Sequence, residues 1–193
     1  MVNTYNVQPV NGKAVRNTVR GMLIVVIALA VAGMASAQDN SGNSQAPQVK
    51  FKGGIGVIPV TAVAANGTVN LNTVRGVTPG APWRIADLEA TVGFDGHIKI
   101  SGRGLLLASG NGIGTNAGQS VHATLFCGPA ATATAHNTTT TGVALEADGD
   151  FRIDDFLSPP PPANCDTPVL LIRNVGGVWF AAGIPQTEDT NRK

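Results

Sequence analysis

Between residues 50 and 185 apolar and polar residues alternate in short runs, and no apolar stripe recurs at the three- and four-residue spacing of a helix. Gly or Pro interrupts nearly every window of about a dozen residues, while Thr and Val, which suit a pleated surface, are abundant. The pattern predicts strands near 55–65, 68–74, 83–93, 97–107, 120–127, 138–147, 150–157, 168–174 and 177–184. About eight or nine antiparallel strands make an all-β domain, either a β-sandwich or a partly open barrel.

Two hairpins can be registered from the sequence. Leu88, Ala90 and Val92 alternate with Glu89 and Thr91, and Ile98 and Ile100 alternate with His97 and Lys99. A two-residue Asp95-Gly96 turn would pair Val92 with Lys99 and mix apolar with charged side chains on one face. A three-residue loop, Phe94-Asp95-Gly96, pairs Val92 with Ile98 and Ala90 with Ile100, so burial parity selects the longer loop. The same solution recurs around Ala147-Asp148-Gly149, where Val143 and Leu145 are expected to face Ile153 and Phe151. Both loops end in Asp-Gly, whose glycine accepts a positive φ at little cost.

The longest apolar run precedes this domain. Lys13, Arg16 and Arg20 form a basic region, Met22 to Met34 an apolar one, and Ala35-Ser36-Ala37 a small-x-small site before Gln38. Together they predict an export signal over 1–37, cleaved after Ala37, and hence a secreted or periplasmic protein. Retention as an anchor is the alternative, but a spanning helix needs about 20 apolar residues and the run from Gly21 to Ala37 falls short. No twin arginine precedes the run and no Cys follows it to take a lipid, so no stable membrane insertion is expected after cleavage. Residues 38–49 read as a disordered spacer rich in Gly, Ser and Asn, and 186–193 as a polar tail.

Export changes the charge and the cysteine chemistry. The whole chain carries 13 basic and 12 acidic residues, a formal net of +1. Lys13, Arg16 and Arg20 leave with the signal, so 10 basic residues stand against 12 acidic, a net of about −2. Such a chain has no electrostatic footprint for nucleic acid or an anionic membrane surface. Two cysteines in an exported chain read as one disulfide, Cys127–Cys165, pinning a proline-rich loop to a strand end. Neither has a neighbouring His or the C-x-x-C spacing that would activate a thiol.

Several stretches imitate functional motifs. Gly112 to Ala117 matches G-x-G-x-x-A, but a strand-like segment from Ser120 follows where the dinucleotide motif needs a helix N-terminus, so an inter-strand loop is expected. Glu146, Asp148 and Asp150 have the spacing of the first three ligands of a calcium loop, with Asp154 or Asp155 as additional ligands. Phe151 and Leu157 stand where that motif wants Gly and Glu. No cofactor is expected, Ca²⁺ at this turn being the one exception kept open. His97, His122 and His136 fall on different elements without metal-ligand spacing, and alternation with Val121, Ala123 and Leu125 predicts that His122 faces solvent or the edge of the opposite sheet. Pro159 to Pro162 read as a rigid inter-strand loop of polyproline II form. Trp83 and Trp179 read as core or rim residues, and as binding-face aromatics if exposed beside Arg84 or Arg173.

Arg75-Gly76-Val77, Pro82-Trp83-Arg84-Ile85, Asp95-Gly96, Gly104-Leu105-Leu106-Leu107-Ala108, the two cysteines and a closing Gly177-Val178-Trp179-Phe180-Ala181 form a spaced pattern over about 74–184. The pattern resembles a group of secreted bacterial proteins without assigned function. The resemblance implies an exported, disulfide-bearing β-domain and carries no catalytic residues with it. The resulting expectation is an exported, non-enzymatic binding or structural module of the cell exterior, facing an extracellular ligand or an envelope component. The alternative is a secreted enzyme with a site assembled from scattered residues, for which Glu146, Asp148, Asp150 and His122 are the candidates.

Overall fold

The computed structural model describes residues 48–186 apart from 60, 61, 64, 68 and 71. The expected export signal over 1–37, nearly all of the expected spacer and the tail beyond 186 lie outside the described residues. The strands are β1 Val49–Gly56, β2 Ala62–Val63, β3 Val69–Asn70, β4 Trp83–Arg84, β5 Asp87–Val92, β6 His97–Arg103 and β7 Leu106–Leu107. They continue with β8 Ser120–Cys127, β9 Thr134–Asn137, β10 Val143–Ala144, β11 Phe151–Phe156, β12 Val169–Asn174 and β13 Trp179–Pro185. Among the described residues there is no helix.

A 9-stranded sheet runs β10-β8-β12-β13-β1-β5-β6-β11, with β9 also paired to β8, while β2–β3 and β4–β7 form small ribbons. Its two ends curl towards each other. Asn137 at the end of β9 and Ser158 just past β11 exchange both backbone hydrogen bonds, at 3.0 and 2.8 Å. At the other end of β11 the turn from β10 is closed by Glu146 N donating to Asp150 O at 2.9 Å. The result is a nearly closed antiparallel barrel, the second of the two all-β arrangements that the sequence allows.

β1 makes one corner. Its first half pairs with β5, and its register against β13 shifts between Phe51 and Gly54. Gly53 at that shift has φ +89, a left-handed conformation that glycine adopts without a Cβ clash. The pair of glycines also explains why the sequence reading begins its first strand only at 55.

The interior is filled where alternation predicts it. Leu88, Ala90, Val92, Ile98, Ile100, Phe151 and Ile153 are buried, while the residues between them on β5, β6 and β11 are mostly exposed. The expected first register is observed, Val92 opposite Ile98 and Ala90 opposite Ile100, with Gly96 at φ +82. The second hairpin keeps its turn but not its pairing. Val143 lies opposite Val121 of β8, and Ile153 opposite Ile100 of β6, because each strand finds a longer partner elsewhere in the ring.

The His122 expectation is corrected. β8 is buried at every position after Ser120, so alternation along it does not separate inside from outside. On its outer side Arg173 Nη1 donates to Thr124 Oγ1 at 3.1 Å and Thr124 donates to Asn137 Oδ1 at 2.7 Å, roofing the strand. The disulfide is formed, Cys127 to Cys165, with Cα atoms 4.8 Å apart. Beside it Gly128 N donates to Asp166 O and Thr167 Oγ1 donates to Gly128 O, both at 2.7 Å.

Candidate binding face

β5, β6 and β11 turn every second side chain outwards, and their registers lay those side chains in rows across the strands. Asp87 faces Arg103; Glu89, Ser101 and Arg152 form the next row; Thr91, Lys99 and Asp154 the next; and His97 with Phe156 the last. Lys50 and Lys52 of β1 extend the middle rows opposite Thr91 and Glu89. Opposite charges thus sit side by side, which favours the pairing of the strands while leaving a strongly polar surface.

Two cavities lie along this surface. One of about 340 Å³ is lined by Glu89, Thr91, Lys99, Ser101, Arg152 and Asp154. The other, of about 400 Å³, is lined by Ser101, Arg103, Glu146, Asp150 and Arg152. They share Ser101 and Arg152. At one end the His97 and Phe156 rings stack with centroids 4.8 Å apart and planes at 23°. Phe156 is 58% exposed, and Phe94 in the neighbouring turn is 45% exposed.

Two carboxylates on this face, Asp154 and Asp87, are held in their ionised forms. His97 Nε2 lies 2.5 Å from Asp154 Oδ1, and Lys99 Nζ 3.8 Å from Asp154 Oδ2. The hydrogen bond from His97, aided by the charge of Lys99, keeps the Asp154 carboxyl below its ordinary value. Arg103 Nη2 donates to Asp87 Oδ2 at 2.7 Å and lowers the Asp87 carboxyl in the same way.

The residues singled out in the sequence are distributed differently. Trp83 and Trp179 are buried and supply no binding face. Trp83 stacks on Phe180 at 4.2 Å, and Trp179 Nε1 donates to Asn72 O at 3.3 Å, so both are held in the core. Glu146, Asp148 and Asp150 are together at the β10–β11 turn, but two of the carboxylates serve the backbone. Asp148 Oδ1 accepts from Asp150 N at 3.1 Å, and Asp150 Oδ1 from Gly104 N at 2.9 Å. Among the described residues no group of three or more His, Cys, Asp or Glu side chains is arranged to hold a metal ion. The expected additional ligands are also engaged, Asp154 with His97 and Asp155 with Thr139 N at 2.8 Å. His122 lies apart from the acidic turn, its Nε2 at 3.2 Å from Asn174 O. The glycine stretch at 112–117 is an inter-strand loop, tied down by Asn116 Nδ2 donating to Leu145 O at 3.0 Å and Glu146 O at 2.9 Å.

No family model, no curated protein and no solved structure matches the chain.

Proposed function

We propose that the protein is an exported, non-enzymatic binding module of the cell exterior and that its ligand is a glycan held on the outer face of β5, β6 and β11. The observation that carries the reading is the exposed Phe156–His97 stack at the end of rows of charged and hydroxyl side chains. A flat aromatic face accepts the C–H side of a sugar ring, and paired carboxylates and cations beside it accept and donate to hydroxyls. The rows span three strands spaced about 4.8 Å apart, a width that suits an extended chain of sugars. The expected export signal, together with a disulfide of the kind secreted chains carry, supports a ligand in the envelope or outside it.

A glycan array probed with the oxidised protein, followed by titration calorimetry on the best binders, tests the reading. Saturable binding that Phe156→Ala weakens about tenfold, the share of one stacked ring, is expected. Phe156 is exposed, so its truncation should leave the melting temperature nearly unchanged. Binding untouched by Phe156→Ala and by Arg152→Ala, or no glycan bound at all, contradicts the assignment.

A further inference from the structure

A third concavity lies at the disulfide end of the barrel, on residues that the glycan reading does not use. It is a cavity of about 410 Å³ whose walls include Cys127, His136, Pro159, Pro160, Pro162 and Asp166. That volume falls within the range of small-molecule sites.

His136 of β9 is 3% exposed. Its Nδ1 lies 2.7 Å from Pro159 O, and since a carbonyl can only accept, Nδ1 carries the hydrogen. In the neutral ring Nε2 is then left with a lone pair, and this atom is buried with no hydrogen-bond partner among the described residues. A buried acceptor without a donor is costly, and a ligand donor offsets that cost. At the rim, the Asp166 carboxylate accepts from Asn164 Nδ2 at 2.9 Å through Oδ1 alone, which leaves acceptor capacity for a ligand. Proline rings and Cys127 supply the apolar part of the wall, and Thr134 adds a hydroxyl.

We infer that this cavity is a binding site for a small organic amine, whose ammonium group donates to Asp166 and His136 while its hydrocarbon part lies against Pro159, Pro160 and Pro162. The acceptors select a donor-rich head, and the carboxylate selects a positive one. A carboxylate ligand is repelled by Asp166, and a neutral alcohol loses the ionic contact.

Calorimetric titration of the oxidised full-length protein with benzylamine, benzyl alcohol and benzoate tests the assignment. Benzylamine should bind saturably and at least about tenfold tighter than benzyl alcohol, with no uptake of benzoate. Asp166→Asn, an exposed rim change, should weaken benzylamine about tenfold and leave the melting temperature unmoved. The ¹⁵N signal of His136 Nε2 should shift on titration, a readout that does not depend on any variant folding. Absence of saturable benzylamine binding, equal affinity for the three compounds, an unmoved Nε2 signal, or unchanged affinity in Asp166→Asn would each overturn the inference.

Discussion

His122 stands on β8 directly opposite Arg173 of β12 and is buried. Burial holds its imidazole below the ordinary value, and the charge of Arg173 lowers it further. The unfolded chain takes up a proton near pH 6.5 that the folded chain resists, so below that pH the unfolded state binds more protons. Stability is therefore full above about pH 6.5, declines as the pH falls towards the folded-state value, and levels off beneath it. The depressed carboxylates Asp87, Asp154 and Asp155 titrate at lower pH, below their ordinary range near 4, and leave this window to imidazole. Urea melts from pH 7.5 to 5 should show a loss of stability on acidification that His122→Gln reduces; identical pH profiles for the two proteins would contradict this account. The same position shows why the sequence misplaced this residue. Alternation is a statement about one wet face, and nothing in residues 120–127 reports that Arg173 and Asn137 roof the other.

At the level of the strand, Gly102 of β6 lies opposite Phe151 of β11, and a Cβ built on it would stand 2.1 Å from the Phe151 ring. The ring occupies the space a side chain would take, which offsets the weakness of glycine inside a strand. Gly102→Ala should lower stability by about 1–3 kcal/mol, the cost of forcing a core ring aside, whereas the exposed neighbour change Ser101→Ala should stay within about 0.5 kcal/mol. Equal urea midpoints for the two variants would show that the ring moves freely. What made β5 and β6 readable was local: alternating residues and an Asp-Gly loop fix both partners within a few positions of each other. β10 has equally good local signals, yet its partner is β8, over twenty residues upstream, and no turn signal encodes a pairing of that range. The candidate face shares this limit. Its rows exist only because β11 docks on β6, which joins Phe156 to His97 and Asp154 to Lys99 across more than fifty residues. In the sequence Trp83 and Trp179 stand out instead, and their size marks core as readily as a binding surface.

Closure of the ring is the property of the molecule as a whole, and the disulfide acts on it. The chain between Cys127 and Cys165 spans a separation of 38 residues and contains β9, β10 and β11. Those strands make the two junctions at which the sheet meets itself, through Asn137 with Ser158 and Glu146 with Asp150. Without the bridge the unfolded chain is free to separate the ends of this segment, and loop-closure entropy puts the lost stabilisation at about 4 kcal/mol. That is a large part of the roughly 5–15 kcal/mol by which a domain is stable. A paired Cys127→Ala, Cys165→Ala variant should therefore melt roughly 10–20 °C below the oxidised protein. Hydrogen exchange supplies a sharper readout than the melt. If the bridge acts through the covalent loop, the amides of Asn137 and Ser158 at the ring junction should lose protection by the same factor as those of β5 and β6, because the entropy is lost to the unfolded state as a whole. Selective loss at the junction would instead show that the bridge holds the ring shut locally, with the rest of the barrel stable in its absence.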